Sequence, residues 1–487
     1  MLIALKDPAH TGECELHYRD IGDYLSREQK LKVIESATLT GNEWQNLEPN
    51  DKGEWLNQSS EDFQNFAPLG DKSGKDAFYP IFRTYSAGLQ SNRDSWVYNY
   101  SREVLVGNVD RMTKTYNAVT DAYQGTPRLK RTQQDVADWL KQDSMWTDPA
   151  EISWARSLRQ WAATGKYLAP SSDALRSSMY RPFSKQHLYF AGGYNHERAQ
   201  LPRMFPTPQH ENYGFYLTGV GSHYDFTFIA VDAIPDLHLL DTGQFFPRYT
   251  YEPVGNMSHG ELDLGLESGG SDVVVEGYRR IDNVSDDALA RYSEAFGEGV
   301  TKDDIFVSVY AQLHDPRYRE KYAADLKRQL PRIPLPGSAE AFGAYVDAGR
   351  KLMDLHIKYE SVEPYPLSES HSTGNESDPG YYRVTKLRWG GTGKSKDRSS
   401  IVYNGNVTLS GIPDEAHEYM LGSRSALEWI MDRYQVKTDK ASGIVNDPND
   451  WAAEHEDPRY IVDLIKRVTT VSVETARIVW TLQTVLI

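Results

Sequence analysis

The residues best suited to chemistry with a polyanion stand together at Ser91-Asn92-Arg93-Asp94. There an arginine fork beside a carboxamide offers donor sets matched to phosphates or base edges. A run of Gln, Ser, Asn, Arg and Asp cannot close a hydrophobic core, so the stretch is expected at a surface, anchored by Trp96, Val97 and Tyr98. The same residues can also be read as a loop in which Arg93 pairs with Asp94 and caps the next helix. A second basic group, Arg388, Lys394, Lys396 and Arg398, surrounds Gly390-Gly391-Thr392-Gly393-Lys394-Ser395. A phosphate loop would need glycine where Arg388 stands and a helix after the Lys-Ser pair. A strand-like continuation follows instead, so the stretch reads as a basic hairpin tip able to touch phosphates.

Other chemistries find no complete set. Glu28-Gln29-Lys30 downstream of Asp20 has the form of the acid-x-Lys end of a metal-dependent nuclease, but it lies in the first turn of a capped helix, where acids are favoured anyway. The 13 histidines include no His-Glu-x-x-His pair and no zinc-ligand spacing, and His314, His356 and His417 read as packing or capping residues. There is no Gly-x-Ser-x-Gly elbow. Methyl transfer to a flipped adenine needs an Asn/Asp-Pro-Pro-aromatic tetrapeptide. Asp7-Pro8-Ala9-His10 lacks the second proline and the aromatic, and too little chain precedes it for a glycine-rich S-adenosylmethionine loop. No catalytic residue, metal site or resident cofactor is therefore expected. The single cysteine, Cys14, rules out an internal disulfide framework and a thiolate metal cluster.

Net charge is −16 over 487 residues, which argues against indiscriminate binding to nucleic acid. A local basic cleft remains compatible with it, because salt limits the reach of remote acids to roughly 8–10 Å. Between Thr126 and Arg203 basic residues exceed acidic ones by five, with Arg128, Lys130, Arg131, Arg181 and Lys185 among them. The acidic segment Glu252 to Glu298 is expected to face away from any polyanion. Aromatic residues are 12% of the chain, and the interleaving of aromatics with basics in Tyr180–Lys185 and Phe245–Tyr249 could line a groove or fill a core.

The elements that must position these residues read as an α+β protein. Ser26-Arg27-Glu28-Gln29 forms a capping box for a helix through Ile34. Helical spacing runs from Ser101 to Tyr123, with Val104, Leu105, Val109, Met112, Tyr116 and Val119 on one face, then over 132–142 and 149–164. Strands dominate 179–253, residues 254–284 read as a linker or long loop, and helices return at 285–296, 302–313, 316–330 and 339–360. Hairpin-like strands at 382–389 and 400–409 precede helices at 413–421, 423–434, 458–471 and 473–485. The expected units are 1–125, 126–253, 254–284 and 285–487. The apolar start Met1–Leu5 reads as a sheet strand and hints that the chain begins mid-domain. With no apolar run of membrane-span length and no signal peptide, the cytoplasm is the expected compartment.

Taken together, several stretches resemble type ISP restriction-modification enzymes. Tyr18–Leu31, Ser91–Asn99 and Tyr180-Arg181-Pro182-Phe183 are similar to the late part of the methyltransferase domain. Phe246–Tyr249, Leu313–Arg319, Leu330–Pro334, Arg424–Trp429 and Ser442–Asn449 are similar to the C-terminal specificity region. The resemblance implies a strand-containing methyltransferase tail over 1–125, a β-rich target-recognition unit over 126–253, and a largely helical specificity region over 285–487. It implies sequence-specific recognition of double-stranded DNA in a phage-defence system. Catalysis, with S-adenosylmethionine, ATP and magnesium, would belong to a methyltransferase and helicase-nuclease portion in the same or another chain. Asn92 and Arg93 would lie beside the place where that portion holds a flipped adenine, with Arg128, Lys130, Arg131, Arg181, Lys185 and the 388–398 hairpin on the DNA. A competing expectation is a scaffold whose C-terminal helices dock the motor and methyltransferase.

Overall fold

Ser101 accepts a hydrogen bond from the Val104 amide and opens the 23-residue helix Arg102–Gln124. Its stripe Leu105, Val109, Met112, Tyr116 and Val119 is fully buried, whereas Val104 faces solvent instead of joining it. This is the computed structural model of the chain, and it describes residues 8–9, 11–12, 14–21, 25–36, 38, 44–56, 58–127, 131–254, 273–392 and 395–485. Arg128, Lys130, Lys394, the Met1–Leu5 strand, Asp7 and most of the 254–284 loop fall outside the described residues.

The architecture is mixed α+β. Strands Leu175–Arg181 and Ser184–Tyr189 form an antiparallel hairpin at the centre of a four-stranded sheet, flanked by Ile234–Pro235 and Tyr98–Asn99. Pro182 and Phe183 make its turn, and Phe183 has a positive φ of 56°. A proline followed by a positive-φ residue suits a type II turn, in which glycine would be the easier second residue. Phe183 is held there because its ring is wholly buried against Tyr359 and Tyr419, and its carbonyl accepts from the Tyr434 hydroxyl at 3.1 Å. The tip thus plugs into the C-terminal part of the chain. A second antiparallel sheet has the order Ser86–Ala87, Gly243–Pro247, Gly214–Thr218, Phe228–Val231.

Helices Lys302–His314 and Ala339–Ile357 back this second sheet. They approach closely at Gly349, where a β-carbon would lie 1.9 Å from the Val307 carbonyl oxygen. His314 and His356 sit in this layer, both buried, and His356 bridges the Tyr310 hydroxyl at 2.6 Å and the Thr475 hydroxyl at 2.9 Å.

Several sequence expectations need correction. The helix expected over 149–164 is Arg156–Ala163, because residues 149–151 form a turn and 152–155 are irregular. The two C-terminal helices are one, Tyr460–Val485, since Ser472 bonds back to the Val468 carbonyl and no breaker separates them. Residues 273–284, read as loop, include Val274–Val275 and Tyr278–Asp282; the latter is the middle strand, paired with Tyr249–Pro253 on one side and Val274–Val275 on the other. Of the strand expected over 382–389 only Arg388 and Trp389 lie in one, Arg388–Thr392, and it pairs with Ser395–Val402.

The two large cores also disregard the expected unit boundaries. One runs from Leu89 through Phe245 and on from Tyr359 to Val473. The other joins Phe63–Phe82 to Phe215–Phe246 and to Val284–Met353. No described residue before Phe63 is buried.

The two histidines set a pH dependence. Burial pushes His314 down to about 3 and His356 well below its ordinary value. The unfolded chain, with histidines near 6.5, binds more protons than the folded chain below that pH. Their contribution to stability is therefore intact above about pH 6.5 and falls as pH drops, by about 1.4 kcal/mol per pH unit for each. Urea unfolding between pH 7.5 and pH 5 should show this slope, and His314→Asn should reduce it by about one histidine's share.

Candidate nucleic-acid interface

The Ser91–Tyr98 stretch is held from beneath by a buried polar network. Asp94 accepts from the Ser91 hydroxyl and from the Tyr180 hydroxyl at 2.8 Å. Asp236, 3% exposed, accepts from the Tyr98 hydroxyl at 3.0 Å, the His238 amide at 2.8 Å and the Arg181 guanidinium at 2.7 Å. Burial raises the Asp236 carboxyl above the ordinary carboxylate range even with Arg181 opposing it. Gly88 is required here, since a β-carbon would lie 2.5 Å from the Asp236 carbonyl oxygen.

This network sorts the arginines named from sequence. Asn92, at a positive φ of 56°, is exposed at the loop apex. Arg93 turns inward. It is 4% exposed, donates to the Gly193 carbonyl at 3.0 Å, and burial pulls its guanidinium down to about 10. It neither pairs with Asp94 nor reaches solvent, so in this position it has no access to a base edge. Arg181 is consumed by Asp236 and lies over the Tyr180 ring at 4.0 Å. Lys185 is consumed by Glu360 at 2.9 Å and Asp232 at 3.5 Å. Both are mostly buried, contrary to the expectation that they face phosphates. Arg131 is exposed, with one long bond of 3.5 Å to the Gln124 carbonyl. In the Phe245–Tyr249 stretch, Phe245 and Phe246 are core, and Arg248 is buried between Asp282 and Asp303.

The hairpin fares differently. Arg388–Thr392 and Ser395–Val402 form a strand pair with a bulge at Trp389/Gly390, where a β-carbon on Gly390 would meet the Ser400 hydroxyl at 2.0 Å. Gly390, Gly391, Thr392 and Ser395 thus belong to a strand pair, which a phosphate loop does not form. The hairpin borders a groove of about 760 Å³ whose other wall is the helix Ala426–Arg433. Lys386, Arg388 and Lys396 are exposed on it and form no ion pair among the described residues. Arg398 pairs with Glu428 at 3.0 Å and covers Trp389.

Across the groove Arg424 and Arg433 share a single carboxylate, Asp432. Burial, and then Arg433, Arg424 and Arg181, hold the neighbouring Lys437 ammonium below its ordinary value. Beyond Lys437 the chain enters a smaller recess of about 380 Å³ lined by Asp439 and Ser442 together with Asn92 and Trp96. The Asn92 loop and the hairpin therefore border one face, joined through residues 437–442. Arg424, Arg433 and Lys437 were missed in the sequence reading, because nothing in their spacing links them to the hairpin.

No group of His, Cys, Asp and Glu that could hold a metal ion occurs among the described residues. The comparisons define the chain further. A family model described as the Type ISP C-terminal specificity domain matches residues 80–464, and the chain belongs to that family. The chain is similar to three solved structures. A nuclease-deletion mutant of the Type ISP restriction-modification enzyme LlaGI in complex with a DNA substrate mimic is 33% identical, with a TM-score of 0.77 over 96% of this chain and 39% of that one. The ATP-dependent Type ISP restriction-modification enzyme LlaBIII bound to DNA is 29% identical, with a TM-score of 0.75 over 98% of this chain and 28% of that one. DrdV in its DNA complex is 30% identical, with a TM-score of 0.73 over 96% and 43%. The chain thus spans well under half the length of these relatives. No curated protein matches. No helix among the described residues is long and apolar enough to cross a membrane.

Because Asp236 and Arg181 are buried against each other, removing either leaves an uncompensated charge. Asp236→Asn and Arg181→Ala should each destabilise the fold by about 3–5 kcal/mol in urea titrations. Any loss of DNA binding in these variants should follow loss of folded protein.

Proposed function

We propose that this chain is the target-recognition part of a restriction-modification enzyme and binds sequence-specific sites in double-stranded DNA. The observation that carries this reading is the unpaired set Lys386, Arg388 and Lys396, which lines one groove together with Arg424. It is supported by the family and by the DNA present in the related structures. In this reading the hairpin and groove cations neutralise backbone phosphates and set register, and Lys394, with Arg128, Lys130 and Arg131, extends the same role. Asn92, exposed at the loop apex, is the candidate for a base edge. Arg93 contributes by supporting that loop from inside.

The methyltransferase and helicase-nuclease activities are assigned to a further portion of the enzyme, which would hold S-adenosylmethionine, ATP and magnesium. Among the closest-packed glycines, none offers S-adenosylmethionine an open approach to the backbone. The glycines in tightest backbone approach, Gly88, Gly214, Gly243 and Gly349, have their open side filled by protein carbonyls. A soluble, cytoplasmic role in phage defence accords with this reading.

Replacing Lys386, Arg388 and Lys396 together by glutamine should weaken duplex binding on all sequences alike. It should also flatten the plot of log affinity against log salt by about 0.9 per cation removed. Asn92→Ala should instead relax preference at one base pair with little change in that slope. Duplex affinity unaffected by the triple substitution would remove the groove from consideration.

One observation favours an additional docking role. The helix Arg27–Ser36 buries none of its residues and exposes Leu31 and Ile34, and Trp55 is exposed nearby in sequence. This is the surface we assign to the methyltransferase portion, and Leu31→Glu with Ile34→Glu should abolish co-purification of the two parts without altering DNA affinity.

A further inference from the structure

A cleft of about 1090 Å³ lies separate from the hairpin groove. The strand Leu175–Arg181 connects the two regions. Arg181 at one end lies within electrostatic reach of Lys437 beside the groove, while Arg176 near the other end lines the cleft. Five residues of extended chain separate them by about 16 Å. The cleft has a part-apolar floor, with Phe205, Met353 and Ile357 among its lining, and Tyr213 and Tyr249 beside them.

Four arginines line this cleft; Arg350 is held by Asp304, and the other three come from three different elements. Arg102 begins the long helix, Arg176 is on the central hairpin, and Arg280 is on the edge sheet, where its guanidinium lies 4.3 Å above the Tyr249 ring. None of the three forms an ion pair among the described residues. Arg176 donates to the Pro206 carbonyl at 3.0 Å, its Nε is buried with no partner, and burial draws its guanidinium down to about 10. Of the acids in the lining, Asp232 and Asp354 are held by Lys185 and Lys358, which leaves Glu211.

A cleft that combines unpaired guanidinium groups with aromatic and apolar walls takes a ligand with phosphates on its outside and flat apolar rings on its inside. A closed duplex turns its phosphates outward on both sides and cannot lower its bases into such a recess. An unpaired strand can, which is the general design of single-strand grooves. We infer that this cleft is a second nucleic-acid site, which binds an unpaired stretch of strand through Arg102, Arg176 and Arg280. The inference takes from the duplex-binding reading only the class of ligand, and it uses different residues.

The test is fluorescence anisotropy with the whole chain, using a short labelled oligothymidylate in one arm and a labelled duplex in the other. Arg176→Gln with Arg280→Gln should weaken oligothymidylate binding roughly ten-fold or more and flatten its salt dependence by about 0.7 per arginine removed, while duplex affinity is unchanged. Arg280→Glu alone, at an exposed position where the guanidinium lies over the face of Tyr249, should act in the same direction and guards against a folding defect at Arg176. Unchanged oligothymidylate affinity in these variants would overturn the inference, as would equal losses on oligothymidylate and duplex. So would inorganic phosphate competing as tightly as the oligonucleotide, which would make the cleft a simple anion site. Failure of the duplex reading is seen separately, as duplex affinity that ignores the Lys386, Arg388 and Lys396 substitutions while the cleft variants still lose the single strand.

Discussion

A buried carboxylate, Asp236, organises this structure. Taking its charge out of water is costly unless a cation and hydrogen-bond donors surround it, and here Arg181, the Tyr98 hydroxyl and the His238 amide do so. Those partners belong to three separate stretches, the post-loop strand, the central hairpin and the turn after Ile234–Pro235. Satisfying one carboxylate therefore fixes three segments relative to one another. The Asn92 loop is presented at the surface as a consequence, because Asp94 is tied to Tyr180 on the same hairpin.

The C-terminal part is locked onto this frame at two further points. Phe183 plugs the hairpin tip into a pocket of tyrosines. On the opposite side Val445 and Asn446 receive hydrogen bonds from the Asn99 side chain and the Tyr100 amide, at 3.0 and 2.9 Å. These contacts join residues more than three hundred positions apart in the chain, which is why the loop after Lys437 borders the same recess as Asn92. The groove and the loop form one face only because these long-range contacts close.

Electrostatics then operates by subtraction. A chain of net charge −16 has acids to spare, and most arginines near the frame are paired internally, as Arg248 and Arg332 are with Asp282 and Asp76. What remains for a polyanion are the cations that the fold leaves without a carboxylate, and two concave places each hold three of them. The local balance matters more than the sum because screening cuts off the distant acids.

Residue types and their periods were enough to establish the α+β class, the helix Arg102–Gln124 with most of its buried stripe, and a basic hairpin near residues 388–398, whose strands lie closer to the tip than their pattern suggested. Each depends on neighbours within a few positions in the chain, and the quoted motifs pointed to the family for the same local reason. Which arginines face outward could not be read in this way. Arg93, Arg181 and Lys185 look like DNA contacts in a string of letters, yet their acceptors, Gly193, Asp236 and Glu360, lie tens to well over a hundred residues away. Arg424, Arg433, Arg176 and Arg280 gain meaning only from the walls around them. Helix and strand follow from short-range sterics and pattern, whereas the availability of a charge is set by what the folded chain brings against it, and that is decided in three dimensions.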